Sequence, residues 1–275
     1  MKRIILSFFI AAALMPAVHV SGQTATVAAT AKSVIKKEEV SYTSADGTNL
    51  KSYVAYNEMK KGKRPAIIVI PEWWGINAYV KKRADMLASL GYIAIAIDMY
   101  GEGKQGPTPK EAGELAGPFY GNPQLAKDRI DAAINKLKEY EQTDETNMAC
   151  IGYCFGGTMS LFAAKLDMPF KSVVSFHGGL AGIPNVGGVT STKILVCHGG
   201  ADKFITAEDE KLFKSNLDSL KVDYKFISYP GATHAFSNPE ATAKGKKFKI
   251  PIAYNPAADK KSWADMRAFL KKTLK

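Results

Sequence analysis

Short apolar runs alternate with longer amphipathic stretches over most of the chain. The runs at 66–70, 92–98, 147–153, 172–176, 194–198 and 224–229 have the length of buried strands. The stretches at 78–90, 123–140, 155–166, 207–220 and 257–274 have the apolar periodicity of helices. Strands that are apolar on both faces and separated by helices indicate a parallel sheet between two helical layers. We therefore predict an α/β fold, with a mostly parallel sheet and helices on both faces.

The chain ahead of these runs has a different pattern. Residues 38–43 and 49–56 alternate between apolar and polar positions and flank Asp46 and Gly47, which predicts an antiparallel hairpin. Residues 23–37 are rich in Ala and Thr without a period, which is typical of a flexible lead-in. The folded domain is thus expected to span 38–275.

The first 22 residues have the order of a secretory signal peptide. Lys2 and Arg3 precede an apolar run at 4–14, and the small residue Gly22 stands before Gln23. We expect cleavage near Gln23 and export to the periplasm or the medium. The apolar run is short for a bilayer span, and no later run is longer, so we expect no membrane span.

Charge and composition narrow the function classes. The net charge of +11 falls to about +9 without the leader and is spread over many lysines, with no basic stripe interleaved with aromatic residues, so nucleic acid is not an expected partner. His177 and His198 lack nearby metal-ligand spacing, and we expect neither a metal nor an organic cofactor. The composition specifies no oligomeric state.

The three cysteines are Cys150, Cys154 and Cys197. The usual strand order of such sheets places the strand at 172–176 between the strands of Cys150 and Cys197, which separates these two by about 9 to 10 Å. We therefore expect no disulfide between them.

Two segments interrupt the alternation of strands and helices. Residues 101–122 are rich in Gly and Pro, and residues 237–255 form a second long excursion before the last helix. Both follow the carboxyl ends of strands, and long loops at such places are frequently functional. We expect 101–122 to fold over the site as a lid or loop.

Chemistry in a parallel sheet is expected at the carboxyl ends of its strands. The polar residues that follow the strands are Glu72, Asp98, Cys154, His177, Asp202 and His234. Of these, Cys154 lies in a Gly-x-Cys-x-Gly pattern between a strand and a helix, which is the nucleophile turn of α/β-hydrolases with cysteine in place of serine. The helix that begins at Phe155 favours a thiolate and supplies a backbone N–H for an oxyanion.

A thiol nucleophile needs a base and an acid, which in this fold follow it in the order acid, histidine. His19 belongs to the leader, and His177 and His198 precede the acid candidates, which leaves His234 as the base. Asp202 directly follows a strand and is the remaining acid. The other acids are expected either on an exposed helix (Glu208, Asp209, Glu210 and Asp218) or at the wrong end of a strand (Asp223). Taken singly, Asp202 could be a turn former and His234 a structural histidine, and only their joint order favours catalysis.

Three motifs resemble those of the dienelactone hydrolase family, and the likeness extends over nearly all of residues 38–274. They are Pro-Glu-Trp-Trp-Gly-Ile-Asn at 71–77, Gly-Tyr-Cys-Phe-Gly-Gly at 152–157 and Gly-Ala-Thr-His-Ala-Phe at 231–236. The resemblance implies the α/β-hydrolase fold, with Cys154 as nucleophile, His234 as base and Asp202 as the acid.

The resemblance adds further roles that spacing alone does not supply. It implies that Glu72 holds the resting thiol and swings away when substrate binds. It also implies an oxyanion hole made by the backbone N–H groups of Trp73 and Phe155, as is general in this fold.

Two departures from the family pattern bear on the substrate. Family members bind a substrate carboxylate with two arginines, yet residues 101–122 contain no arginine and Asn238 stands at the second position. Lys104 and Lys110 could supply charge, but lysine does not reproduce a bidentate arginine clamp. Trp73 and Trp74 would suit an apolar acyl group or ring, or would simply be core residues.

The sequence thus predicts a hydrolase that cleaves small carboxylic esters or lactones through an acyl-thioester, with neutral substrates preferred over dienelactone. Thiolates add readily to activated carbonyls, which favours esters over amides. The alternative is a non-catalytic protein of the same fold that binds a hydrophobic ligand in the cleft, since fold alone does not establish activity.

Overall fold

The computed structural model describes residues 1, 34–180 and 191–274. The predicted signal peptide at 1–22 and the greater part of the lead-in at 23–37 lie outside the described residues, Met1 excepted. The compact unit that follows spans Ser33–Lys275. Its first strand begins at Ile35, slightly before the expected start at Glu38, because Ile35 already pairs with Asn57 across the hairpin.

One eight-stranded sheet forms the centre of this unit, in the order β1-β2-β4-β3-β5-β6-β7-β8. The antiparallel contacts are β1 with β2 and β2 with β4, and the other neighbours are parallel. This confirms the predicted mostly parallel sheet and its hairpin. The strands are β1 (Ile35–Thr43), β2 (Asn49–Asn57), β3 (Arg64–Ile70), β4 (Ile93–Ala96), β5 (Thr143–Tyr153), β6 (Ser172–Phe176), β7 (Lys193–Gly199) and β8 (Tyr224–Tyr229).

Helices cover both faces of the sheet, as the alternating pattern predicts. Apolar residues of α1 and α7 enter one buried cluster, and those of α2, α3, α4 and α5 enter the other. The helices are α1 (Ala78–Ser89), α2 (Pro109–Gly121), α3 (Pro123–Lys138), α4 (Phe155–Lys165), α5 (Ala207–Ser219), α6 (Ala241–Phe248) and α7 (Pro256–Thr273).

The segment at 101–122 is largely helical rather than a loop, and its role as a lid over the site stays a prediction. Thr108 caps α2, and Pro109 occupies its first turn, where a missing N–H costs nothing. The carboxylate of Asp98 accepts the N–H groups of Tyr100 and Gly101, which fixes the chain before the helix. The excursion at 237–255 likewise contains a helix, α6.

The cysteines are unbridged, in agreement with the sequence prediction. Cys150 lies on β5 and Cys197 on β7, with β6 between them. Both are fully buried, whereas Cys154 is partly exposed. Among the described residues, no helix is both long and apolar enough to span a bilayer.

Candidate active site

Cys154 occupies a strained turn between β5 and α4. Its backbone has φ 53° and ψ −116°, a left-handed φ that side chains other than glycine rarely adopt. The turn depends on the glycine on each side: a Cβ on Gly152 would lie 1.7 Å from the Gly156 carbonyl oxygen, and one on Gly156 would lie 2.3 Å from the Ile70 carbonyl oxygen. The predicted sharp turn is therefore present, and it lifts the thiol above the end of the sheet.

The structure brings the predicted histidine and aspartate to this thiol. His234 Nε2 lies 3.0 Å from Cys154 Sγ, and His234 Nδ1 lies 2.8 Å from Asp202 Oδ2. The other oxygen of Asp202 accepts the N–H of Phe204 at 2.9 Å. Hydrogen bonds on both carboxylate oxygens orient the aspartate, and the aspartate in turn orients the imidazole.

The segment at 237–255 braces the loop that carries the histidine. Ala253 N donates to the carbonyl of His234 at 3.4 Å, and Asn255 N donates to the carbonyl of Phe236 at 2.9 Å. His234 is only 8% exposed and packs edge-on against the Phe204 ring. This second excursion thus supports the base from behind.

The electrostatics of the site favour a protonated His234. Burial alone lowers the pKa of a histidine, but the charge interactions and hydrogen bonds of His234 with Cys154 and Asp202 outweigh it and raise the pKa of His234 to about 10. His234 therefore keeps its proton at neutral pH.

Glu72 lies in the same cleft but does not hold the thiol, contrary to the implication of the family resemblance. Its Oε2 accepts a 2.6 Å hydrogen bond from the amide of Asn238, while the thiol contacts His234 instead. Glu72 is 2% exposed, and burial raises the pKa of its carboxyl, with the Asn238 hydrogen bond opposing that shift. The Glu72 side chain is thus held aside by Asn238, and burial favours its neutral form.

The expected oxyanion donors are free in the described part of the chain. The backbone N–H groups of Trp73 and Phe155 donate to no acceptor among the described residues. Their neighbours are engaged, because Gly156 N donates to the Pro71 carbonyl and Tyr100 Oη donates to the Trp73 carbonyl. These contacts fix the two segments that carry the free N–H groups.

The cleft above Cys154 is a mainly apolar cavity of about 210 Å³. Lys104 and Lys110 do not line it, and Lys110 is paired with Glu114. No Lys or Arg is among the described residues that do: Glu72, Trp73, Trp74, Tyr120, Cys154, Phe155, Gly179, Phe204, Ile205, His234, Ala235, Ile250 and Ile252.

Three residues near the site escape prediction from the sequence. Asn238 binds Glu72 and borders a neighbouring cavity rather than the cleft, although its position was expected to face substrate. Ser237 contacts His177, and Lys244 lies over the Trp74 ring while paired with Glu240 at 3.0 Å. Local spacing does not reveal the contacts of Asn238 with Glu72, Ser237 with His177 or Lys244 with Trp74, since each joins segments far apart in the chain.

The remaining strand-end residues, Asp98 and His177, make hydrogen bonds to backbone N–H groups. Asp98 accepts four backbone N–H groups around 51 and 100–103, a structural role. His177 accepts from Cys154 N through Nδ1. Within 34–180 and 191–274, no group of three or more His, Cys, Asp or Glu side chains is arranged to hold a metal ion.

Comparison with known proteins agrees with this geometry. Residues 50–274 match the model of the dienelactone hydrolase family. "Protein usf" of Aquifex pyrophilus is 31% identical over 242 residues, which cover 83% of this chain and 96% of that protein. A "Probable 2-oxo-3-(5-oxofuran-2-ylidene)propanoate lactonase" of Bradyrhizobium sp. is 28% identical over 239 residues, 82% of this chain and 91% of that one.

Among solved structures, a dienelactone hydrolase-like promiscuous phosphotriesterase from metagenomic libraries superposes with a TM-score of 0.80. It is 31% identical, and the match covers 88% of this chain and 99% of that one. The similarity therefore extends over nearly the whole domain.

Proposed function

Because the chain belongs to the dienelactone hydrolase family and is a hydrolase of that type, we propose that it cleaves carboxylic esters or lactones with Cys154 as nucleophile. His234 is the base and Asp202 the acid that orients it. The observation that carries the proposal is the continuous contact from Sγ to Nε2 at 3.0 Å and from Nδ1 to the carboxylate at 2.8 Å.

In the acylation step, the thiolate attacks the carbonyl carbon and a tetrahedral oxyanion forms. The free N–H groups of Trp73 and Phe155 are the donors that would stabilise this charge. The imidazolium of His234 then gives its proton to the departing alkoxide, and the C–O bond breaks to leave an acyl-thioester on Cys154.

In the deacylation step, neutral His234 takes a proton from water, and the resulting hydroxide attacks the thioester carbonyl. Collapse of the second oxyanion breaks the C–S bond and returns the thiolate and the imidazolium. A thiolate is a better leaving group than hydroxide, so this collapse releases the carboxylic acid and regenerates the enzyme.

The cleft favours neutral substrates with an apolar acyl group. Aromatic residues line it and no described Lys or Arg does, so a substrate carboxylate would lose its hydration without gaining a cationic partner. Each missing charge-assisted hydrogen bond costs about 1.5 to 3 kcal/mol. Lactones are included among the proposed substrates, and the similar Bradyrhizobium protein carries a lactonase name.

The test is a panel of aryl esters and lactones of varied acyl length, assayed with the wild type and Cys154→Ala. Cys197→Ala is the matched control, because it removes a fully buried thiol remote from the cleft. We expect hydrolysis that Cys154→Ala abolishes and Cys197→Ala retains. Binding of apolar esters without turnover in the wild type would favour the alternative, a non-catalytic ligand-binding protein.

A further inference from the structure

A buried chain of hydrogen bonds leads away from the nucleophile turn. The N–H of Cys154 is shared between the Phe176 carbonyl at 3.0 Å and His177 Nδ1 at 3.1 Å. His177 Nε2 lies 2.7 Å from Ser237 Oγ, which lies 2.7 Å from Tyr79 Oη. His177 is 1% exposed and Ser237 is fully buried, so solvent does not compete for these bonds.

The hydrogen bond from Cys154 N to His177 Nδ1 fixes which ring nitrogen of His177 carries the proton. Nδ1 accepts an N–H and therefore carries no proton, so the neutral ring has its proton on Nε2 and donates it to Ser237. A protonated ring would carry an N–H on Nδ1 as well, and that N–H would point at the N–H of Cys154 and repel it. Burial, the charge of His234 and that of Arg83 all lower the pKa of His177. The ring also contacts Tyr153 and Cys154 and reaches Tyr79 through Ser237.

The same ring connects the two halves of the proposed catalytic pair. Ser237 lies on the loop that carries His234, and Arg83 Nη2 donates to the Ser237 carbonyl at 2.7 Å, which fixes that loop. The ring also packs edge-on against His234, with ring centres 5.4 Å apart. His177 thus touches the backbone of the nucleophile, the ring of the base and the loop of the base.

We propose that His177 is a positioning residue that sets the distance between the Cys154 thiol and His234. The proposal rests on the catalytic roles given above. As a neutral acceptor it anchors the strained backbone of Cys154, and through Ser237 it ties that backbone to the histidine loop. Because the neutral His177 ring bears no charge, it does not repel the imidazolium of His234.

Three substitutions at His177 test its Nδ1 hydrogen bond with Cys154 separately from its Nε2 hydrogen bond with Ser237. His177→Asn keeps an acceptor near the position of Nδ1, His177→Gln keeps a donor near that of Nε2, and His177→Phe removes both while filling the space beside Phe236. We expect His177→Phe to lower kcat about a hundredfold with little change in KM, since small displacements of catalytic groups have effects of that size. His177→Asn should recover most of this loss, and His177→Gln should recover less.

A second readout is independent of substrate turnover. The rate of Cys154 alkylation by iodoacetamide, followed against pH, reports how well His234 stabilises the thiolate. We expect its midpoint to move to higher pH in His177→Phe and to stay near that of the wild type in His177→Asn. If Cys154 were not the nucleophile for esters, hydrolysis would survive Cys154→Ala while this alkylation profile still tested the position of His177.

Ser237→Ala completes the test, with Ser160→Ala as its matched control. Both serines are fully buried, but Ser160 Oγ bonds the Gly157 carbonyl and has no contact with His177. We expect only Ser237→Ala to shift the alkylation midpoint. Equal losses of thermal stability in all variants with an unchanged alkylation profile would overturn the proposal, because that is the result of a purely structural histidine.

Discussion

At the residue scale, the site holds the buried His234 ring between the Cys154 thiol group and the Asp202 carboxyl group. Interactions with Cys154 and Asp202 raise the pKa of His234 to about 10 against the opposing effect of burial. The neighbouring titratable groups are biased toward their neutral forms, because burial raises the pKa of the Glu72 carboxyl and lowers that of the His177 ring. Charge at the site is therefore concentrated on the groups proposed to react.

This charge arrangement predicts the alkaline limit of activity. Because the folded-state pKa of His234 is raised above its usual value of 6.5, the proton is retained through neutral pH and is lost as pH rises through about 10. Acylation by alkyl esters needs that proton for the leaving alkoxide, so kcat/KM should fall as pH passes that value. Asp202→Asn removes a group that raises the pKa, and the alkaline limb should move to lower pH.

The measurement is kcat/KM for an alkyl ester against pH in the wild type and in Asp202→Asn. Enzyme returned from each high pH to neutral buffer must regain its activity, which separates titration from unfolding. An alkaline limb at the same pH in both proteins would contradict the proposed pairing of His234 with Asp202.

The polarity of the cleft predicts how substrate selectivity can be changed. Tyr120 lines the cleft yet is half exposed, so Tyr120→Arg places a guanidinium at the rim with little desolvation. A rim pair worth about 1 kcal/mol should raise kcat/KM for a carboxylate-bearing ester about fivefold relative to its neutral counterpart. Asn238→Arg is the less direct choice, because its side chain would meet Glu72 first.

Tyr120→Gln is the matched control, since it is polar and uncharged. The ratio of the two kcat/KM values should stay at the wild-type value in this variant. A wild-type enzyme that already hydrolyses the anionic ester faster than the neutral one would refute the preference argued from the cleft lining.

Sequence patterns reach some of these residues and not others. Cys154, Asp202 and His234 could be predicted because each follows a strand and their order along the chain is that of the fold. The contact of Asn238 with Glu72 could not, because it joins residues far apart in the chain through side-chain packing. Without that contact, the position of the glutamate away from the thiol is not evident.

At the element scale, the turn between β5 and α4 depends on a glycine that permits close backbone approach. A Cβ at Gly152 would meet the Gly156 carbonyl oxygen at 1.7 Å, a contact that forces the backbone apart. We expect Gly152→Ala to lower the free energy of unfolding by at least about 2 kcal/mol and to abolish hydrolysis. Denaturant unfolding and the ester assay measure the two effects.

Gly113→Ala is the control for that substitution. Gly113 lies inside α2 with no atom near the position of a new Cβ, so alanine there should stabilise the protein by about 0.5 to 1 kcal/mol. An active, undiminished Gly152→Ala protein would show that the turn does not have the geometry described.

Helix α2, which is absent from the sequence prediction, has an identifiable cause. Helix α2 contains several glycines and Pro118, residues that normally argue against a helix. It forms because Thr108 and Pro109 start it and because Ala112, Ala116 and Phe119 are buried. Tertiary packing thus overrides a weak local preference.

At the scale of the whole molecule, the sheet assembles the site from segments distant in the chain. The order β3, β5, β6, β7 and β8 sets side by side the strand ends that carry Glu72, Cys154, His177, Asp202 and His234. The periodicity of the sequence predicts this arrangement, because parallel strands all present their carboxyl ends at one edge. The periodicity does not predict how the side chains pack at that edge of the sheet.

The most direct test of the account is detection of an acyl-thioester on Cys154. The enzyme is mixed with an aryl ester of an apolar acid, quenched in acid during turnover, and examined by intact mass and peptide mapping. We predict a mass increase of one acyl group on the peptide that contains Cys154, removable by hydroxylamine and absent from Cys154→Ala. Turnover without that adduct, or with the acyl group on another residue, would contradict the proposed mechanism.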